Sequence, residues 1–239
     1  MSAPPKTVIK ATPVEESAIR AAVRNADTSK INPACVRATS AHIAAFVDLL
    51  SDPRVSSPIY DLPHPISFET VADWVKDAEA KSELGECILT ITPDDPGRLI
   101  TYSRFTIWPE RSAAEIAGTY RADVQSAGLG KAGAARSFDW MFSELGVRLV
   151  CVTAAIDNER SARVIEAAGF KPMGEREGIR ADGSVRRSRY WEMTREEWDN
   201  RRSSKQLRGE PIRRLVIALA ASPRSHEQPF RTKRRKTDA

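Results

Sequence analysis

The stretch Arg148–Ile156 reads Arg-Leu-Val-Cys-Val-Thr-Ala-Ala-Ile, rich in β-branched residues and almost wholly apolar. A strand without polar alternation is buried on both faces, so this one belongs at the centre of a covered sheet. The hydrophobic period on either side says what covers it. Upstream, positions 43, 46, 47 and 50 of His42–Leu50 repeat at helical spacing behind Ser40 as a cap, after a short strand at Ala34–Thr39. A Pro-punctuated loop, 53–65, leads to Ser67, which opens a second helix with Val71, Trp74, Val75 and Ala78 on one face. The period then becomes two. Glu86–Thr92 and Arg98–Trp108 alternate around Pro93-Asp94-Asp95-Pro96-Gly97 as a hairpin, and Ser112–Tyr120 follows as a third strand. A helix with Ala135, Phe138, Phe142 and Leu145 on one side precedes the apolar run. After it, Asp157-Asn158 caps a helix that stops at Gly169, and a hairpin turns at Asp182-Gly183 and returns through Tyr190–Met193. The predicted order is β-α-α-β-β-β-α-β-α-β-β, an α+β or three-layer α/β domain over residues 34–199. Residues 1–33, with a helix near Val14–Val23, read as an N-terminal extension, and 200–239 as a basic, disordered tail.

Composition narrows the class. With 41% hydrophobic and 29% charged residues among 239, the chain is neither collagen-like nor wholly disordered. No apolar run approaches the ~20 residues of a membrane span, and Met1–Lys6 lacks the pattern of a secretory signal. Cys35, Cys87 and Cys151 lie far apart, which points to reduced core thiols of a cytoplasmic protein rather than a disulfide frame or zinc site. His42, His64 and His226 have no spacing for a metal or a triad. The net charge of +5 is uneven. Residues 201–239 hold 12 Lys/Arg and 3 Asp/Glu, a net of +9, while residues 1–200 hold 25 and 29, a net of −4. The basicity is therefore a property of the tail. Within the tail, Ile212–Ala221 reads as a docking helix. Arg231–Lys236 reads as a solvated end, an RNA or ribosome contact, or a nuclear address.

Two segments carry chemistry. Gln125-Ser126-Ala127-Gly128-Leu129-Gly130-Lys131 places two glycines at the junction of a strand and a helix, where backbone amides approach an anion and the helix start adds unpaired N–H groups. It is neither a Walker loop nor a G-x-G-x-x-G fingerprint, and such a pair also serves simply to start a helix. Asn158-Glu159-Arg160-Ser161 begins a helix that ends at Ala168-Gly169-Phe170. Each segment alone is an ordinary cap. Their joint order, together with Glu115-Ile116 ten residues ahead of Gln125-x-x-Gly128-x-Gly130 and the closing Arg195-Glu196-Glu197-Trp198, resembles the GCN5-related N-acetyltransferase superfamily, in its RimJ/RimL-like branch.

That resemblance implies a mixed, mostly antiparallel sheet flanked by helices, with acetyl-CoA as acetyl donor and no metal. The thioester would lie where the Ser112–Tyr120 strand splays from Arg148–Ile156, polarised by N–H groups near Tyr120–Val124. Amides from Ser126 through Gly128, Leu129 and Gly130 to Lys131 would hold the pyrophosphate, Asn158 the pantetheine arm, and Lys131 or Arg136 would screen the phosphates. The acceptor would be a primary amine, of a protein N-terminus (ribosomal-protein-like) or of a small molecule, attacking directly in a ternary complex. Glu115 has two readings, general base or structural carboxylate. Position 126 is Ser where many relatives carry Gly, and position 165 is Ile where many carry a thiolate-protonating Tyr. The branch lacks that Tyr, which makes Ser161 the candidate proton donor, against the alternative of a plain first-turn serine. A catalytically degenerate acetyl-CoA-binding or RNA-contacting protein is the competing reading. A monomer or homodimer away from membranes fits either.

Overall fold

The computed structural model describes residues 3–95, 97–125, 129–180 and 182–207. Local chemistry sets the boundaries of its elements. Helix α1 (Pro13–Arg24) begins where Thr12 Oγ1 accepts the Glu15 N–H at 3.2 Å and Pro13 occupies the first turn. Strand β1 (Val36–Arg37) and helix α2 (Ile43–Leu50) follow, and a short helix α3 (Pro53–Ser56) lies inside the loop 53–65. Helix α4 (Phe68–Glu83) starts at a Ser67/Thr70 capping box. Then come β2 (Cys87–Asp95), β3 (Arg98–Trp108), β4 (Ala113–Tyr120), α5 (Leu129–Ser143) and β5 (Leu149–Ala155). Helix α6 (Glu159–Ala168) is capped by Asn158 and stopped by Gly169, whose φ of 91° suits a residue without Cβ. The hairpin β6 (Lys171–Ile179) and β7 (Val185–Thr194) leads into α7 (Arg195–Leu207), which runs past Trp198. The expected order of elements is the order found, the helix near Val14–Val23 being α1, with α3 and α7 added.

The seven strands form one sheet in the order β1-β2-β3-β4-β5-β7-β6, antiparallel throughout except for β4–β5. The apolar run thus lies in the interior of the sheet as β5. On one face Ile88, Phe105, Ala114, Val150, Val152 and Trp191 pack with Ile19 and Val23 of α1, Phe138 and Phe142 of α5, Ile165 of α6 and Trp198 of α7. On the other, Leu89, Ile91 and Tyr102 pack with Phe46 and Leu50 of α2 and Val71, Trp74 and Val75 of α4. This is the three-layer arrangement that a doubly buried strand requires.

Parts of the N-terminal extension pack against this core. Ile19 and Val23 are 2% and 0% exposed, and the Trp140 indole donates to the Asp27 carbonyl at 3.1 Å. The Lys6 and Thr7 N–H groups donate to the Glu192 carboxylate at 2.7 and 3.1 Å. The three cysteines are buried free thiols. Among the described residues no helix is long and apolar enough to cross a membrane, and no group of potential ligands is clustered to hold a metal. The docking helix and basic run expected in the tail lie outside the described residues.

Candidate active site

Strands β4 and β5 pair through only three residues, Ala113↔Leu149, Ala114↔Val150 and Glu115↔Cys151. Beyond Glu115, β4 stays paired with β3 as far as Tyr120↔Thr101, and β5 stays paired with β7 as far as Ala155↔Ser188. The two strands therefore diverge, leaving backbone groups of Ile116–Tyr120 without a β5 partner. Gly118 lets β4 press close to β3: a Cβ there would stand 2.4 Å from the Tyr102 carbonyl oxygen. The closed end of the V is locked. Ser112, in the left-handed region at φ 46°, accepts the Arg148 and Leu149 N–H groups at 2.8 and 3.0 Å. Its hydroxyl donates to Glu15 at 2.6 Å, and Glu15 pairs with Arg148 at 2.7 Å. Burial would raise the Glu15 pKa, but the Ser112 hydroxyl and the Arg148 guanidinium outweigh it and hold the carboxyl below its ordinary value. Helix α1 thus clamps the vertex.

The open end is bordered by two helix starts. Leu129 begins α5, so the first-turn N–H groups there have no intrahelical acceptor. That turn carries Lys131 and no acid, and a Cβ at Gly130 would meet nothing within 4 Å. Unpaired amides at a helix start suit an anionic group. Ser126 and Gly128 lie outside the described residues, as does the Leu129 side chain. Across the cleft, Asn158 Oδ1 accepts the Ser161 N–H at 3.0 Å, which fixes the amide side chain at the start of α6 and puts Ser161 in the first turn. Gln125 spans the mouth: its Nε2 donates to the Tyr120 carbonyl at 2.8 Å and its Oε1 accepts from Arg160 at 3.0 Å.

The remaining sequence candidates fall in different places. Tyr120 packs on α5, where Gly133 makes room for its hydroxyl, and burial pushes the phenol pKa up. The N–H groups of Arg121 and Val124 are already bonded to the carbonyls of Ile100 and Arg121, at 2.7 and 3.2 Å. Arg136 is drawn away from the α5 start, its Nε donating to the Ile31 carbonyl at 2.9 Å, so its described bond serves the core and not a phosphate. Glu115 sits at the vertex, 4% exposed, accepting from Thr153 Oγ1 at 3.3 Å. Burial and the Glu115 charge push the neighbouring Cys151 thiol well above its ordinary pKa, so that thiol stays protonated and is no nucleophile.

Sequence reasoning did not single out the residues that continue the Glu115 face. Thr153, Ser188 and Tyr102 are brought there by strand register, and Arg186, opposite Gly178 of β6, by alternation along β7. Nothing in the string Arg186-Arg187-Ser188-Arg189 distinguishes the buried positions from the exposed ones.

Residues 35–171 match the model of the acetyltransferase (GNAT) domain, more than half of the chain. The chain belongs to the GNAT acetyltransferase family. It is an acetyl-CoA-dependent N-acetyltransferase by that membership. GNAT structures share its fold. The ribosomal-protein-S5-alanine acetyltransferase from Vibrio fischeri is 16% identical, with 69% of this chain and 93% of that one covered and a TM-score of 0.57. RimJ from Mycobacterium smegmatis, in complex with CoA-disulfide, is 17% identical over 68% and 82%, with a TM-score of 0.57. The spermidine N-acetyltransferase from Vibrio cholerae, in complex with CoA and spermine, is 15% identical over 71% and 100%, with a TM-score of 0.59. A search of curated proteins finds no match.

Proposed function

We propose that this GNAT enzyme transfers acetyl from acetyl-CoA directly to a primary amine, donor and acceptor being held together across the β4–β5 cleft. The observation that carries the reading is the divergence of β4 from β5 beyond Glu115↔Cys151, with the starts of α5 and α6 at its open end. Bound acetyl-CoA supplies a thioester carbonyl and, on transfer, a thiolate. The α5 amides and Lys131 bind its pyrophosphate, and Asn158, held by its cap bond, orients the pantetheine arm. The neutral amine nitrogen forms the new C–N bond as the C–S bond breaks. Glu115, on the acceptor face, takes the amine proton directly or through a water, and the Ser161 hydroxyl gives a proton to the departing sulfur. Proton return from Glu115 to Ser161 through solvent restores both groups. The protonated Cys151 favours this direct route over a covalent acetyl-enzyme.

The named activities of two fold neighbours, a ribosomal-protein-S5-alanine acetyltransferase and a spermidine N-acetyltransferase, support an amine as the acceptor. Ser161→Ala should lower kcat by roughly tenfold to a hundredfold, the low end of general-acid effects, with the acetyl-CoA Kd changed less than twofold. Equal losses in kcat and in acetyl-CoA affinity rule out the proton-donor role. Acetyl-CoA binding without turnover on any amine supports instead the degenerate, binding-only protein.

A further inference from the structure

One face of β7 carries Arg186, Ser188, Tyr190 and Glu192 in alternation, and all four are buried. Ser188 pairs with Ala155, Tyr190 with Thr153 and Glu192 with Cys151, so the row continues the face on which Thr153 meets Glu115. At the closed end of this row the polar groups are satisfied: Tyr190 donates to Glu192, which also receives the Lys6 and Thr7 N–H groups. At the open end they are not. Arg186 is 8% exposed and its Nε has no hydrogen-bond partner. Its guanidinium makes no described ion pair and lies over the Tyr60 ring, 5.2 Å from the centroid. Gly178 on β6 makes the space for that ring, since a Cβ there would stand 3.0 Å from it. The Tyr102 hydroxyl on β3, also on this face, is fully buried and likewise unpartnered.

Burial works against the Arg186 charge and lowers its pKa; Arg180 adds to that, while Tyr60, Asp61 and Asp157 favour the charge. Asp61 is also within electrostatic reach of Tyr102. A buried guanidinium without a bonded anion is costly. It presents a rigid fork of donors whose best complement is a carboxylate.

We propose, resting on the acetyl-transfer reading above, that Arg186 is a specificity-determining residue of the acceptor site, binding a carboxylate carried by the amine. The acceptors are then amines that bear an acidic group. Polyamines are poor substrates, because Arg186 and Arg180 repel a second ammonium.

The test measures kcat/KM by thiol release on matched acceptors, native enzyme against Arg186→Gln and Arg186→Lys. One arm compares free amino acids with their carboxamides, which asks for an α-carboxylate. The second compares peptide amides beginning with Asp or Glu against those beginning with Asn or Gln, which asks for an acidic side chain. Spermidine is the polycation control. The native enzyme should prefer the carboxylate member by about tenfold or more in one arm. Arg186→Gln should bring that ratio close to one, chiefly through acceptor KM, with acetyl-CoA affinity unchanged. Arg186→Lys should retain part of the ratio, and a matching thermal midpoint for both variants excludes unfolding as the cause. Spermidine turnover equal to or above that of the acidic amines, or a ratio that survives Arg186→Gln, overturns the assignment and leaves acetyl transfer standing. No turnover of any acceptor by the native enzyme overturns both.

Discussion

Replacing Ile19 by Ala tests whether the first 33 residues belong to the folded unit. Ile19 is 2% exposed and packs through α1 into the same core as Phe105, Trp140 and Val150. Ile→Ala in a core costs about 2–5 kcal/mol, depending on how far the cavity collapses. Here α1 lies beside the Pro109–Arg111 turn, tied to it by the Ala11 N–H to Glu110 carbonyl bond at 3.0 Å. A helix at the margin of the sheet relaxes more readily than a central strand, so the lower half of that range, about 2–3 kcal/mol, applies. For a folded unit of this size that corresponds to a fall in Tm of roughly 4–12 °C. Val14 lies on the same helix and is 80% exposed, so Val14→Ala should stay within about 0.5 kcal/mol of the native protein. The assay is urea unfolding of the three proteins, comparing midpoints at constant m. If Ile19→Ala is as silent as Val14→Ala, the segment is an appendage after all and the clamp at the cleft vertex is not needed for stability.

Glu192 gives a pH signature. Burial would raise its pKa, but hydrogen bonds from Thr7 and Tyr190 prevail and hold it below the ordinary value of 4.5. A carboxyl depressed in the folded state stabilises above its ordinary pKa, and that contribution is lost as the pH falls through the folded value. Urea midpoints of the native protein should therefore drop more steeply below about pH 4.5 than those of Glu192→Gln, which should be less stable at neutral pH; parallel curves contradict the assignment. Truncation after Leu207 removes the residues beyond α7 and most of the basic excess, and should leave kcat and the acetyl-CoA Kd within twofold of the full chain. A cut after Asn200 is a different experiment, since it removes Arg201, whose guanidinium lies where a Gly169 Cβ would be, 2.0 Å away.

Several elements were legible because their information is local. The caps at Ser67 and Asn158, the stop at Gly169, and the helical and strand periods each depend on neighbours within a few residues. The apolar Arg148–Ile156 run likewise announced an interior strand, because burial on both faces leaves no position for a polar side chain. The helix α1 was visible, but its role was not. Its amphipathic face gives no hint whether the buried side meets this core, and only the place of Ile19 and Val23 in the cluster that holds Phe105 and Val150 answers that.

The sequence by itself determined the order of elements, the family signature and the two helix starts that border the cleft, all of them written in short-range spacing. Only the tertiary structure decided which side chains share the acceptor face. Strand register sets that, and register comes from pairings between residues tens of positions apart. Ser188 comes level with Ala155, Glu115 with Cys151, and Arg186 under Tyr60, through contacts that no local pattern encodes. The charge excess that stands out in the sequence belongs to the tail. The single buried guanidinium that bears on substrate choice was hidden among the arginines of β7.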